Sequence, residues 1–379
     1  MQQVYFDNAA TTQLREDVVT AITETLKNNY GNASSSYSLG RLSKSLIENS
    51  RKTIAKILNT SASEIIFTSG GTEADNLVLY SAVKDLGVKH IISTKIEHHA
   101  VLHTINDLKL THSIRVSFLN LDEFGRINLE ELEQLLIDSP KALVSLMLVN
   151  NEIGNILDIK AIGEMCKKYN ALFHSDAVQA IGHYTLDLQD INVDFLAASA
   201  HKFHGPKGVG FAFIRKNTGI KPLILGGEQE RGLRAGTESV HNIVGLEKAM
   251  LLAYENLEKE TVYIKSLKSY FISKLRKEIP NVAFNGLSED MEQSTYTLVN
   301  VRLPIPANKS AMFLFQLDLK GIACSKGSAC QSGSNQKSHV LSEILNDDDL
   351  EKPSVRFSFS TFNTKAEIDY VIEVLKSLI

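Results

Sequence analysis

The chain has 379 residues, of which 43% are hydrophobic and 22% charged, with a formal net charge of −4. That length exceeds the usual single domain, so two domains are expected, and the composition is that of an ordinary soluble globular protein. The slightly acidic balance offers no footing for nucleic acid or a charged membrane surface, and the longest apolar run, ALVSLMLV (142–149), is too short to cross a bilayer.

The opening MQQVYFDN has no basic region followed by an apolar stretch, so no secretory signal is expected. Short apolar runs then alternate with longer amphipathic ones. EIIFTS (64–69), HIIST (90–94), IRVSFLN (114–120), ALVSLMLV, ALFHS (171–175) and VDFLAA (193–198) predict strands. EADNLVLYSAVKDL (73–86), LEELEQLLID (129–138) and IKAIGEMCKKY (159–169) predict helices between them. This alternation predicts an α/β fold with a mostly parallel, doubly wound sheet covered on both faces. KGVGFAFIR (207–215) reads as a further strand, and a helical stretch follows over 239–277. The pattern then changes to YTLVNVRL (296–303), GIACS (321–325) and VRFSFS (355–360), with helices between and at the end, which predicts a smaller α+β domain.

Several motifs fall at the junctions. TSGGTEADN (68–76) follows a strand and opens a helix. Glycines there let the backbone approach an anion, and the free N–H groups of a helix N-terminus favour a phosphate, with Gly71 and Thr72 as donors. The plainer alternative is a glycine turn with Thr72 as N-cap. Asp176 ends the ALFHS strand, the edge at which open α/β sheets bind ligands. SAHKFHGP (199–206) holds Lys202 on a tight connection between two strands, closed by the Gly205-Pro206 turn. A lysine fixed there beside Ser199 and His201 suits a Schiff base to an aldehyde cofactor with its phosphate nearby. A basic loop with a hydrogen-bonded histidine is the bland reading of the same residues.

The chain holds three cysteines, too few for a disulfide framework, and free thiols fit a reducing compartment, hence the cytoplasm. Cys166 lies on an amphipathic helix and Cys324 on an apolar strand, so both read as buried. Cys330 differs: SKGSACQSGSNQKS (325–338) is nearly all small and polar, the composition of a loop, where an exposed thiolate can collect a group at one place and deliver it at another. His174 and His204 read as structural histidines.

SxHKxxGPxG, HSDAVQ (174–179), TSGGTEADN and GSAC (327–330), all in one chain, resemble the NifS/IscS-like cysteine desulfurases of the class V aminotransferase group. The resemblance runs from YFDNAATT (5–12) to RFSFS (356–360). It implies the type I fold of pyridoxal phosphate enzymes, with a large domain over 13–260 and a small one over 1–12 and 261–379. It assigns Lys202 to the cofactor aldehyde and to the substrate Cα proton, and Gly71, Thr72, Ser199 and His201 to the phosphate. Asp176 falls on the ring nitrogen, Gln179 on the ring hydroxyl, and His98 stacks on the ring. Asn151 lies on the same side of the cofactor and, with Arg356, meets the substrate; Arg356 grips its α-carboxylate bidentately.

The resemblance further makes Cys330 the persulfide carrier, and Thr237 a contact to the phosphate of a neighbouring subunit's cofactor, hence a homodimer. L-Cysteine is the substrate and a sulfur-acceptor protein the partner, serving iron–sulfur cluster assembly or tRNA thiolation. No metal site is expected, beyond a transient contact of Cys330 with an iron–sulfur cluster. Two departures stand out: Glu228 precedes Gln229 where a third glycine is often found, and the chain stops at Ile379 without the extension some relatives use to dock a scaffold. The alternatives are a selenocysteine lyase or other class V aminotransferase, and a non-catalytic sulfur-relay protein of the same fold; the thiol loop argues against a transaminase, and Lys202, Asp176 and His98 against a pure scaffold.

Overall fold

The computed structural model describes residues 2–139, 141–327 and 337–379. The chain begins with β1 (Val4–Tyr5), α1 (Glu16–Asn28) and α2 (Ser38–Ile57). Strands and helices then alternate: β2 (Ile65–Thr68), α3 (Gly71–Lys84), β3 (His90–Ser93), α4 (His99–His112), β4 (Arg115–Phe118), α5 (Leu129–Ile137), β5 (Ala142–Ser145), α6 (Ile159–Lys168) and β6 (Leu172–Asp176). β7 (Phe195–Ser199) and β8 (Gly210–Ile214) complete a seven-stranded sheet of order β2-β8-β7-β6-β5-β3-β4.

The strands from β7 through β4 in that order run parallel, as the alternation predicts, while β8 is antiparallel to both of its neighbours. The short connection between β7 and β8 leaves no room for a crossover helix, so the chain must turn straight back. Alternation along each strand sends side chains to two different cores. Ile65, Phe67, Leu196, Ala198, Phe211 and Phe213 join one cluster, whereas Ile66, Phe195, Ala197, Ala212 and Ile214 join the other. Both faces of the sheet are therefore covered.

Two boundaries differ from the sequence pattern. β5 stops at Ser145, because beyond it the backbone turns across the end of the sheet, with Leu148 N–H donating to Asp176 O and Val149 bridging Ile156. The long helical stretch is broken at Asn256 into α7 (Val240–Glu255) and α8 (Leu257–Glu278).

The remaining elements are β9 (Ala283–Phe284), β10 (Leu298–Arg302), α9 (Ala307–Leu319), β11 (Ile322–Ala323), α10 (His339–Ile344), α11 (Asp347–Leu350), β12 (Ser354–Ser358) and α12 (Lys365–Leu378). β12, β10 and β9 form an antiparallel sheet, and β1 pairs in parallel with β11. Their own apolar cluster gathers Val4 and Phe6 with Phe271, Phe357, Phe359 and the inner face of α12. Phe6 meets Phe359 edge-on at 5.6 Å and 82°, a favoured arrangement for aromatic rings.

Candidate active site

A cavity of about 430 Å³ opens at the carboxyl ends of β3, β5, β6 and β7, between the sheet and the segment after β1. Gly71, Thr72, His98, Asn151, Asp176, Gln179, Ser199, His201, Lys202 and Arg356 all line it. These residues are spread over most of the chain, and the strand ends bring them together. Thr237 is exposed and does not line this cavity, and Cys330 lies outside the described residues.

Lys202 ends a short helical turn, Ala200–Lys202, between β7 and β8. Its Nζ donates to Ala9 O at 2.6 Å and to Ala10 O at 2.8 Å. The same segment accepts from Gln179 Nε2 at Ala9 O, 2.9 Å, while Thr11 Oγ1 lies 3.2 Å from His201 Nδ1. Residues 9–11 are thus part of the site, a role that residue-by-residue reading of the sequence did not assign; the only signal was that YFDNAATT belongs to the resemblance.

The helix that begins with Gly71 is capped by Gly70, whose φ of 153° favours glycine, so Thr72 sits in the first turn and is not the N-cap. A Cβ on Gly71 would fall 2.5 Å from Val178 Cγ2. Only glycine lets the backbone close against that wall at the edge of the cavity.

Asp176 is buried, and its carboxylate accepts from Val178 N–H at 2.9 Å. Burial pushes its carboxyl up to about 6, against the pull of that bond and of Lys202. Behind it lie two more buried acids. Burial lifts Asp75 well above the carboxylate range, with Asp176 and Glu97 adding to the effect, and lifts Glu97 to about 8. Burial drives the histidines the other way: His98 falls to about 4, with Lys202 adding, and His201 to about 4. Both are neutral near pH 7. His98 caps α4, its Nδ1 accepting from Ala100 N–H at 3.1 Å, which fixes its tautomer. His174 is fully buried, pushed down to about 3, with Nδ1 2.9 Å from Ser145 Oγ. His204 is buried, with Nδ1 2.7 Å from Gln13 O.

Arg356 lies in the middle of β12, 1% exposed. Its Nη2 donates to Asp7 Oδ1 at 2.8 Å and Ser325 Oγ at 3.1 Å, and its Nη1 donates to Asn151 O at 2.6 Å. Cys166 is core, its thiol pushed up to about 12 by burial, and burial likewise drives the Cys324 thiol far up. Neither supplies a thiolate near neutral pH.

These residues fit a flat aldehyde cofactor carrying a phosphate. A glycine-lined helix N-terminus would favour the phosphate, a lysine stands at the cavity wall, and a buried carboxyl is available for a cationic ring nitrogen, whose charge would favour its ionised form. Among the described residues no cluster of side chains is arranged to hold a metal ion.

The aminotransferase class-V family model matches residues 4–371. The chain is 44% identical to a cysteine desulfurase IscS of Clostridium botulinum, over 100% of this chain and 94% of that protein. It is 40% identical to a putative cysteine desulfurase IscS 1 of Bacillus subtilis, over the whole of both. Among solved structures it resembles a NifS-like protein at 35% identity and a TM-score of 0.90, covering 100% of this chain and 99% of that one. A NifS-like protein from Rickettsia africae follows at 32% identity and a TM-score of 0.88, with the same coverage.

Proposed function

This chain belongs to the class V aminotransferase family, and we propose that it is a pyridoxal phosphate-dependent cysteine desulfurase, which converts L-cysteine to L-alanine and passes the sulfur to an acceptor. The observation that carries this reading is the convergence of Lys202, Asp176, His98 and Arg356 on a cavity with a glycine-capped helix at its wall.

When bound, pyridoxal phosphate supplies an electron sink for negative charge at the substrate Cα. Gly71, Thr72, Ser199 and His201 hold the phosphate, the last two from the lysine loop. Asp176 holds the ring nitrogen protonated, and Gln179 holds the ring hydroxyl. His98, neutral and with its tautomer fixed, would hold the ring from the cavity wall. The Lys202 amine takes the proton from Cα and later returns one. Arg356 and Asn151 bind and orient the amino acid. Cys330 takes the sulfur from the substrate as a persulfide, so that free sulfide does not escape.

In this reading residues 13–260 form the cofactor domain, and residues 1–12 with 261–379 form the smaller one. Thr237, exposed on one chain, reaches the phosphate site of a second copy, which makes the enzyme a homodimer. It works in the cytoplasm, supplying sulfur to an acceptor protein for iron–sulfur cluster assembly or tRNA thiolation. The lack of any helix among the described residues long and apolar enough to cross a membrane agrees with that setting.

Incubation of the cofactor-loaded protein with L-cysteine and a thiol reductant tests the reading. Alanine and sulfide should appear in equal amounts. Pyruvate in place of alanine, or no turnover, would reject it.

A further inference from the structure

Arg356 reaches the cavity with its hydrogen-bonding edges already engaged. A guanidinium has N–H groups at Nε, Nη1 and Nη2, and a carboxylate gripped by two parallel bonds must use either the Nε–Nη2 or the Nη1–Nη2 edge. Both edges include Nη2. Here Nη2 serves Asp7 Oδ1 at 2.8 Å and Ser325 Oγ at 3.1 Å, while Nη1 serves Asn151 O at 2.6 Å. Nε is buried and has no hydrogen-bond partner among the described residues. A carboxylate gripping the Nε–Nη2 edge finds Nε without a partner, but its second oxygen must displace a partner from Nη2.

Asp7 is the partner with charge. Its backbone is fixed by a bridge to Ser358 and by Ala10 N–H donating to Asp7 O at 2.9 Å, and its Oδ1 also accepts from Ser325 Oγ at 3.0 Å. Its side chain keeps 19% exposure, against 1% for Arg356. The acid can therefore turn toward water while the arginine stays in place.

We propose that Asp7 occupies, on Arg356, the place that the α-carboxylate of the amino acid takes, and thereby sets the affinity for both substrate and product. This rests on Arg356 binding that carboxylate, as argued above. Asp7 offsets the Arg356 charge and sets a like charge beside the incoming carboxylate, so it weakens cysteine and alanine alike. Alanine has the same carboxylate but no thiol, so the restraint falls as fully on the product and hastens its departure.

Asp7→Asn keeps an oxygen for Nη2 and Ser325 but removes the charge. In cofactor-loaded protein, the KM for L-cysteine and the inhibition constant of L-alanine should both fall by roughly 5- to 10-fold, the scale of one charge at close range in a partly screened site. L-Alanine should also raise the melting temperature of Asp7→Asn more than that of the unaltered enzyme, and the cofactor absorption should not change. If Asp7→Asn does not fold, Asp7→Ser, also neutral, is read by the same constants. Unchanged or raised constants in a folded, cofactor-loaded variant overturn the proposal. Arg356→Gln separates the two levels. If it leaves KM as it was, the assignment of Arg356 itself fails; if it raises KM strongly while Asp7→Asn changes nothing, only the role of Asp7 fails.

Discussion

Arg234 lies across the first turn of α3, with its Nε 2.9 Å from Glu73 Oε1. Glu73 lines the cavity and also accepts from Ser69 N–H at 2.8 Å. Burial alone would raise the Glu73 carboxyl; the bonds from Arg234 and Ser69 outweigh it and hold the group below the usual range, ionised. The segment that brings Arg234 there is locally strained, with Glu230 at φ 46° and Arg231 at φ 59°. A buried ion pair holds it, Arg51 Nη1 to Glu230 Oε2 at 2.7 Å, with Phe67 N–H donating to the same oxygen.

Arg234→Gln should therefore leave an uncompensated carboxylate beside the proposed phosphate site. Pyridoxal phosphate affinity should weaken by about tenfold, the scale of one like charge at close range in a largely screened site, while Glu73→Gln in the same background should restore most of it. Fluorescence titration of the cofactor-free proteins measures both. Equal affinity in Arg234→Gln and the unaltered protein would contradict the charge argument.

Lys202→Ala removes the amine and the donor to the Ala9 and Ala10 carbonyls. The variant should fold, with a slightly lower melting temperature, and show neither the visible absorption of a lysine-held cofactor nor alanine formation. Absorbance and a turnover assay decide it, and a yellow, active variant would refute the assignment.

Cys330→Ser replaces a thiol with a hydroxyl that stays un-ionised near pH 7. Cofactor and substrate binding should persist, and alanine release should fall by at least a hundredfold. Mass spectrometry of the unaltered protein after brief exposure to L-cysteine should place one extra sulfur on the peptide holding Cys330. Sulfur on Cys324 would be surprising, since burial holds that thiol protonated.

Glu97 makes a pH prediction for the cofactor-free protein. Its folded value of about 8 stands above its unfolded 4.5, raised by burial, with Asp176 adding to the effect. A group raised on folding contributes stability that is complete below the unfolded value and lost as pH rises through the folded one. Glu97→Gln cannot ionise, so its stability relative to the unaltered protein should grow between pH 5 and pH 9. The gain is on the order of 2–4 kcal/mol, from a shift of this size at 1.36 kcal/mol per unit with allowance for relaxation. Denaturant melts at the two pH values measure it, and parallel curves would show that Glu97 is not held protonated.

The main sheet was legible because most of its strands are short apolar runs between helical periods, buried on both faces; β4 at the edge is partly exposed. Lys202 and Asp176 could be picked out because a strand end and a Gly-Pro turn are local signals. What remained hidden were contacts between distant residues. No pattern near Lys202 announces the Ala9 carbonyl, 193 positions away, and none near Arg356 announces Asp7, 349 positions away. Nor does anything near Arg356, at the start of the VRFSFS run, announce the bridge that Ser325 makes to it. The buried acids near Asp176, Asp75 and Glu97, were equally invisible, since they sit in segments whose apolar neighbours explain themselves.

The pairing of the two ends of the chain has a consequence for synthesis on the ribosome. Asn8 donates to Ser358 O across 350 positions, and Val4 and Phe6 pack into a core otherwise built from residues beyond 263. The segment around β1 must therefore wait, solvated, while more than 250 further residues are made before it finds its partners. Contacts of such long separation close slowly and late. Because Ala9 and Ala10 hold Lys202, the nascent polypeptide cannot complete this pocket until translation has passed β12. Cofactor capture should accordingly be a late event, and a ribosome-stalled chain lacking the final strand should not turn yellow.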